Sequence, residues 1–345
     1  MEKKIRILSL DGGGIRGIIS CVILKFIEEQ LQKLDNPNAK IGDYFDLIAG
    51  TSTGGILAAV LLVPNENKTA KFSVEAALDL YSEKGETIFD VNFWEHLTNP
   101  FGLFNEKISE KSLERQLNEV FGNLQIKDFI KPSLITSYDI FHRKAKFFTS
   151  HEAHSNLENF YAKDICRATS AAPTYFEPAK IKSVYGQEFT LIDGGVYANS
   201  PALCAFAEAG KIPFSTILND PEKPDFPDIK DMMIVSVGTG EVKKAYTFRQ
   251  FENAGKVKWI QPLIDILLSA NAETTDYQLQ KMYKKAGKAT AKNYYRLMPN
   301  LKSASSEMDD VSAKNIQELI QAGLAFVDQN ESELIEIARK LIQNK

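Results

Sequence analysis

The stretch Asp11-Gly12-Gly13-Gly14-Ile15-Arg16-Gly17 sets three successive glycines just ahead of a helical pattern. Glycine leaves the backbone N–H groups unhindered, and at a helix N-terminus the dipole favours an anion. The anion held there would be a phosphate or a transient oxyanion. Gly12-x-Gly14-x-x-Gly17 also fits the dinucleotide fingerprint, which needs a second strand ending in an acid about 20 residues further on. Asp35 lies near that distance, but it follows a helical stretch and opens a polar loop, so the context fails. A plain structural turn is the remaining reading, and the flanking Asp11 and Arg16 speak against it.

Gly50-Thr51-Ser52-Thr53-Gly54 is a G-x-S-x-G pattern between an apolar run and a helical one. In that context it reads as a nucleophile elbow, with Gly50 and Gly54 relieving crowding so that a strained Ser52 can expose its hydroxyl. The bland reading is an ordinary turn serine; the strand–turn–helix context favours the nucleophile. Asp193-Gly194-Gly195 directly follows the apolar run Phe189–Ile192. An acid at the C-terminal end of a strand is well placed for a site, although taken alone it reads better as a turn aspartate.

Histidine is scarce: His96, His142, His151 and His154, with none beyond residue 154. A Ser, acid, His chain order is therefore impossible with Asp193 as the acid. His142, His151 and His154 fall in a polar stretch that reads as solvated. What remains is a Ser52–Asp193 dyad in which the carboxylate takes the serine proton directly. A free Asp, at ~3.9, is a weak base, so such a site has to be desolvated.

These residues need strands and helices to hold them. Ile5–Leu10 reads as a strand broken by the glycines, and Ile18–Leu34 has helical spacing. Tyr44–Ala49 is a second apolar run, Ile56–Leu62 a buried helix, and residues 74–130 mainly helical. Leu134–Tyr138, Lys146–Ser150, Phe189–Ile192 and Met232–Val237 read as strands. The order implies an α/β fold, a mainly parallel sheet flanked by helices with function at the strand ends. Pro213, Pro221, Pro224 and Pro227 mark a surface loop or lid. From about residue 245 the pattern is helical, closing with Ile316–Phe326 and Glu331–Ile342.

The 345 residues suffice for one large domain or two smaller ones. At 44% hydrophobic and 25% charged the composition is globular, and a net charge of -4 argues against a nucleic-acid binder. Cys21, Cys166 and Cys204 give neither a disulfide framework nor a zinc pattern. With no signal-peptide pattern and no membrane-spanning apolar stretch, the expectation is a cytoplasmic protein, peripheral at membranes.

Taken together, the glycine loop, the elbow and the Asp-Gly-Gly turn resemble the patatin-like phospholipases. The likeness extends over Leu8–Ile18, Asp43–Ile56, Thr136–Phe148, Arg167–Pro178, Leu191–Pro201 and Ser236–Gly240, and Gln30–Asn67 is particularly similar to plant patatin. It covers residues 5–241 closely and the helical C-terminal third more loosely, which suggests a catalytic core over 1–241 and a mostly helical region over 242–345 packed on it. The resemblance implies a three-layer patatin-like α/β fold and a lipid acyl hydrolase using a Ser–Asp dyad, with no metal or other cofactor. It makes Ser52 the nucleophile and Asp193 the base. Gly13 and Gly14 become oxyanion-hole donors, helped by Gly12 and Arg16, and Arg16 is a candidate partner for a lipid phosphate. Asp11, Gly17, Gly50, Gly54, Gly194 and Gly195 support the motifs. Asn199-Ser200-Pro201 stands where relatives often carry Asn-Asn-Pro, a mild change.

Residues 242–300 hold eleven Lys and Arg against Glu252, Asp265, Glu273 and Asp276, a net of +7. Lys281, Lys284, Lys285, Lys288 and Lys292 fall at helical spacing, either as a solvated face or as a dock for anionic lipid or an anionic regulator. The resemblance implies a membrane or micellar lipid as the substrate partner, and no nucleic-acid polymer is expected. Two alternatives accompany the hydrolase: the same enzyme switched by a nucleotide, as in some bacterial defence effectors that resemble it, and a non-catalytic anion-binding module.

Overall fold

Strand β1, Ile5–Leu10, is buried along its whole length, and its side chains divide between two layers. Ile5 and Ile7 join one apolar cluster, with Ala202, Ala205, Leu279 and Tyr283; Leu8 and Leu10 join the other, with Ile18, Ile19 and Leu319. That alternation follows from the two-residue period of a strand and gives helices on both faces of the sheet. The computed structural model describes residues 3–79, 106–154, 157–241, 246–252 and 255–345.

Helix α1, Gly17–Leu34, covers one face. β2, Leu47–Thr51, leads into α2, Thr53–Leu61, through Ser52 alone. β3, Ser133–Asp139, and β4, Lys144–Thr149, form a hairpin; α3, Ala162–Thr169, follows. β5, Ala179–Lys182, and β6, Glu188–Asp193, precede the single turn α4, Gly195–Ala198. β7, Met232–Val237, is again fully buried. The long α5, Lys256–Lys285, then leads to β8, Tyr294–Leu297, and to α6, Ala313–Gln343. α6 lies on α1, close enough that a side chain on Gly323 would meet Val22 Cβ at 2.9 Å.

Among the described residues eight strands form one mixed sheet. Its centre is parallel, as expected, in the order β3-β2-β1-β7-β8, whereas β4, β5 and β6 pair antiparallel. β4 occupies one edge of β3 over Leu134–Asp139. The other edge is divided. β2 runs parallel along its first half and ends with Thr51 opposite Thr136; β6 runs the other way along its second half and ends with Asp193 opposite Ser137. Two strands thus run toward each other on one edge and stop one register step apart. This collision brings the elbow and the Asp-Gly-Gly turn together.

Several expectations change. Tyr294–Leu297, read as helical, is a strand, so the stretch beyond residue 241 contributes to the same sheet. The closing pair of helices is as expected: Ala313–Gln343 is two helical stretches that meet at a kink at Asn330, where φ is −121°. Within 74–130, Val74–Asp79 and Glu106–Phe121 are helical, while residues 80–105, including His96, lie outside the described residues. The proline-rich segment is a surface loop, the first of its two readings, and not a lid. It lies at the opposite end of the sheet, where Lys223 reaches under β1 and donates to Asp46 Oδ2 (2.7 Å) and to the carbonyls of Lys4 (3.0 Å) and Asn344 (2.6 Å).

Asp46 there also accepts two guanidinium bonds from Arg6, at 2.9 and 2.7 Å, and Arg6 donates to Leu341 O at 3.0 Å. Burial would raise the Asp46 carboxyl, but Arg6 and Lys223 hold it below its usual value. Removing this one anion would strand two buried cations. Asp46→Ala is therefore expected to lower stability by about 3–5 kcal/mol in urea unfolding at neutral pH.

Candidate active site

Ser52 is the residue between β2 and α2, with φ 56° and ψ −126°. This left-handed backbone is strained for a residue with a Cβ, and such strain persists only where the surroundings enforce it. They do so through close approach: a side chain on Gly50 would meet Gly54 O at 2.2 Å, and one on Gly54 would meet Leu10 O at 2.3 Å. The Ser52 N–H donates to Thr169 Oγ1 at 2.9 Å, and that hydroxyl donates to Thr136 O at 2.7 Å. Thr51 Oγ1 is bonded to Thr136 Oγ1 at 2.7 Å and donates to Ala198 O at 2.6 Å, tying β2, β3 and α4 together beneath the serine.

Asp193 is buried and faces the Ser52 hydroxyl within hydrogen-bonding reach. Its Oδ1 accepts the Gly195 N–H at 2.7 Å. Burial pushes the carboxyl up to about 7, and the bonds from Ser52 and Gly195 only partly counter that. No salt bridge to Asp193 occurs among the described residues. Gly194 has no room for a side chain, which would meet Thr136 Oγ1 at 2.1 Å.

The glycine loop completes the group. Asp11 is clamped by Arg296, whose Nη2 donates to Asp11 Oδ2 at 2.5 Å while Nη1 donates to Ser236 Oγ at 2.8 Å. The Gly12 N–H is committed to Asn199 O at 3.0 Å, so it is not free for an oxyanion. Gly13 and Gly14 line the cavity, and their N–H groups meet no protein acceptor among the described residues. Gly14 has φ +58°, and a side chain there would strike Met308 O at 2.2 Å, so this position requires glycine. Gly17 opens α1 against Thr53. Arg16 does not line the cavity; its Nε donates to Gly13 O at 3.3 Å, bracing the loop.

Ser52, Asp193, Gly13 and Gly14 border one cavity of about 220 Å³. Its walls are apolar, with Ile56, Leu113, Phe176, Ile264, Leu267 and Leu268 prominent. None of the described histidines lines it. His142 pairs with Asp139 at 2.6 Å, and His151 with Glu208 at 2.8 Å. His154 lies in the turn after β4.

These observations converge with sequence relationships. Residues 8–206 match the family model for patatin-like phospholipase. Patatin-like protein 2 of rice, Oryza sativa, is 36% identical over 352 residues, covering 96% of this chain and 85% of its own. The chain belongs to the patatin-like phospholipase family. Patatin group J-1 of potato, Solanum tuberosum, is 35% identical over 339 residues, 94% of this chain and 84% of its own. Among solved structures, VipD from Legionella pneumophila aligns over 95% of this chain and 67% of its own at 14% identity, with a TM-score of 0.40. The patatin-like chain is an enzyme of the lipid acyl hydrolase class. Among its described residues no helix is long and apolar enough to cross a membrane.

The basic residues Lys281, Lys284, Lys285, Lys288 and Lys292 are exposed, but they do not share one helix. α5 ends at Lys285, and Gly287, at φ 124°, turns the chain before Lys288. They lie at the end of the sheet remote from Ser52, next to the start of β8.

Sequence reasoning missed Thr169, Asn271 and Arg296. Asn271, on α5, accepts the Asn199 N–H at 2.9 Å and donates to Tyr197 O, so it pins α4 just after Asp193. Neither Asn271 nor Arg296 sits in a local motif; each acts across long sequence separations. Loosening α4 shifts the Asp193 loop, and misplacement of about 1 Å can be costly. Asn271→Ala is expected to lower kcat by roughly ten- to a hundredfold with little change in KM, read from steady-state ester hydrolysis.

Proposed function

We propose that the patatin-like chain hydrolyses fatty-acyl esters of membrane lipids through a Ser52–Asp193 dyad and an acyl-enzyme intermediate. The observation that carries this reading is the pairing of a strained serine hydroxyl with a buried carboxyl whose pKa is pushed up to about 7. A carboxyl titrating there is a far better proton acceptor at neutral pH than a solvated one. Burial supplies the basicity that a histidine supplies elsewhere.

In the first half-reaction Ser52 Oγ attacks the ester carbonyl and its proton passes to Asp193. The N–H groups of Gly13 and Gly14 receive the oxyanion; losing one such donor typically costs ~10²–10³ in rate. The tetrahedral intermediate collapses as Asp193 gives its proton to the leaving alcohol oxygen. Water then attacks the acyl-serine and yields a proton to Asp193; on collapse Asp193 returns it to Ser52 and the fatty acid is released. The apolar walls Ile56, Phe176, Leu267 and Leu268 suit the acyl chain rather than a polar head group.

A fluorophosphonate probe is expected to label Ser52, with labelling lost in Ser52→Ala. Both Ser52→Ala and Asp193→Asn should abolish ester hydrolysis; full activity in Asp193→Asn would overturn the dyad.

The pH dependence of kcat/KM follows from the base. Activity should rise as pH increases toward about 7 and level off above it, because only ionised Asp193 accepts the serine proton. Stability runs the other way. The folded chain holds this proton more tightly than the unfolded chain, so the contribution of Asp193 favours folding below about pH 4 and is lost as pH rises through about 7. Asp193→Asn is therefore expected to be more stable than the parent at about pH 8, by roughly 1–3 kcal/mol, with the gain vanishing near pH 4 in denaturant titrations.

A further inference from the structure

The first half of α5 has two faces. Ile264 and Leu268 point to the cavity and Ala272, Thr275 and Leu279 are buried against the sheet layer, while Leu263, Ile266, Leu267, Ala270 and Tyr277 recur at helical spacing on the exposed side. Leu263, Ile266 and Leu267 are 47%, 40% and 51% exposed, and Leu267 is also a cavity wall. The exposed stripe and the acyl-binding cavity are thus one continuous apolar surface.

The short helix Phe248–Phe251 borders it. Phe248 is 79% exposed. Tyr246, Phe251 and Trp259 stack in series, with centroids 5.5 and 4.5 Å apart, and the Tyr246 hydroxyl donates to Asp265 at 3.0 Å. The flanking charge is basic. Arg249 and Lys258 are exposed cations there beside exposed Glu252, and in the sequence residues 243–258 hold five Lys and Arg against that one acid. Exposed aliphatic groups, amphipathic rings and cations together are the makeup of a surface that seats in the headgroup region of a bilayer. An exposed patch of this kind marks an interaction site.

We infer that the Phe248–Phe251 turn and the outer stripe of α5 form the face that docks this enzyme on an anionic lipid bilayer, with the cavity mouth turned toward the membrane. The inference rests on the lipid-hydrolase reading for the substrate that such docking delivers. A second protein chain covering the stripe would also cover Leu267 and block the way to Ser52, whereas a lipid surface covering it supplies the substrate. The lysines Lys281, Lys284 and Lys285 lie apart from this face. Lys281 lies 14 residues along α5 from Leu267, about 21 Å at 1.5 Å per residue, toward the far end of the sheet.

The test uses the full chain and vesicles of phosphatidylcholine with or without phosphatidylglycerol. Vesicle binding is measured by co-sedimentation in the Ser52→Ala background, and hydrolysis of a soluble short-chain nitrophenyl ester in the Ser52 protein. The variant Phe248→Ser/Leu263→Ser/Ile266→Ser is expected to lose at least tenfold in binding to phosphatidylglycerol vesicles while turning over the soluble ester within twofold of the parent. Lys281→Glu/Lys284→Glu/Lys285→Glu is expected to bind vesicles as the parent does. Should the triple serine variant fail to fold, Phe248→Ser alone is expected to weaken vesicle binding in the same direction. Unchanged vesicle binding in the serine variants overturns the inference, as does loss confined to the glutamate variant. A parent dimer that the serine variant converts to monomer without affecting vesicle binding overturns it as well, in favour of a second copy. If the parent fails to hydrolyse any ester yet binds vesicles through these residues, the hydrolase reading fails and the docking face stands.

Discussion

The site depends on the shared edge of β3. β2 and β6 enter that edge from opposite ends and stop at Thr51 and Asp193, opposite the adjacent residues Thr136 and Ser137. Because both strands end there, the chain must leave the sheet at two neighbouring points. One exit is the strained elbow at Ser52; the other is the Asp-Gly-Gly turn into α4. Thr136 and Thr169 fill the seam with hydroxyl hydrogen bonds that hold the elbow to β3, and the Asp193 N–H donates to Ala171 O at 2.9 Å. A one-residue slip of β6 would turn Asp193 to the other face of the sheet, so the relation of the two groups is as well fixed as the strand register itself.

That geometry also sets the electrostatics. Asp193 lies in the seam between layers, where no cation among the described residues offsets its burial, and its affinity for a proton rises. The contrast with Asp46 is informative. Both carboxyls are buried in the same sheet, at opposite ends, but Asp46 has Arg6 and Lys223 and is held below its usual value. The same side chain thus serves as a fixed structural anion at one end and as a proton acceptor in the proposed chemistry at the other. The difference lies in the company each keeps.

Much of this was legible in the sequence because the key groups belong to local signals. Gly50 and Gly54 bracket Ser52, and glycines follow Asp193, because those turns cannot form with bulkier residues. Ile5–Leu10 and Met232–Val237 stand out as strands because they are buried on both faces. What stayed hidden is non-local. Arg296 meets Asp11 across 285 residues and Asn271 meets Asn199 across 72, with nothing nearby to mark them. Tyr294–Leu297 is too short to show a period, and its pairing with β7 makes it a strand. The lysines from 281 to 292 keep helical spacing through a break that only the backbone of Gly287 reveals. The crowded prolines marked a surface loop or lid, but Lys223 within that loop turns inward to a buried anion that no local pattern announces.

The same buried anion joins the two ends of the chain. Lys4 N–H donates to Asn344 Oδ1 at 2.8 Å, and Lys223 bonds the carbonyls of both residues. Residues 4 and 344 therefore lie side by side at the end of the sheet away from the cavity. A polypeptide fused to either one would leave the molecule on that side, with the mouth of the cavity unobstructed. A short linker between them would close the chain into a ring without disturbing the sheet, which makes this fold a natural candidate for cyclisation or for new termini opened in a surface turn.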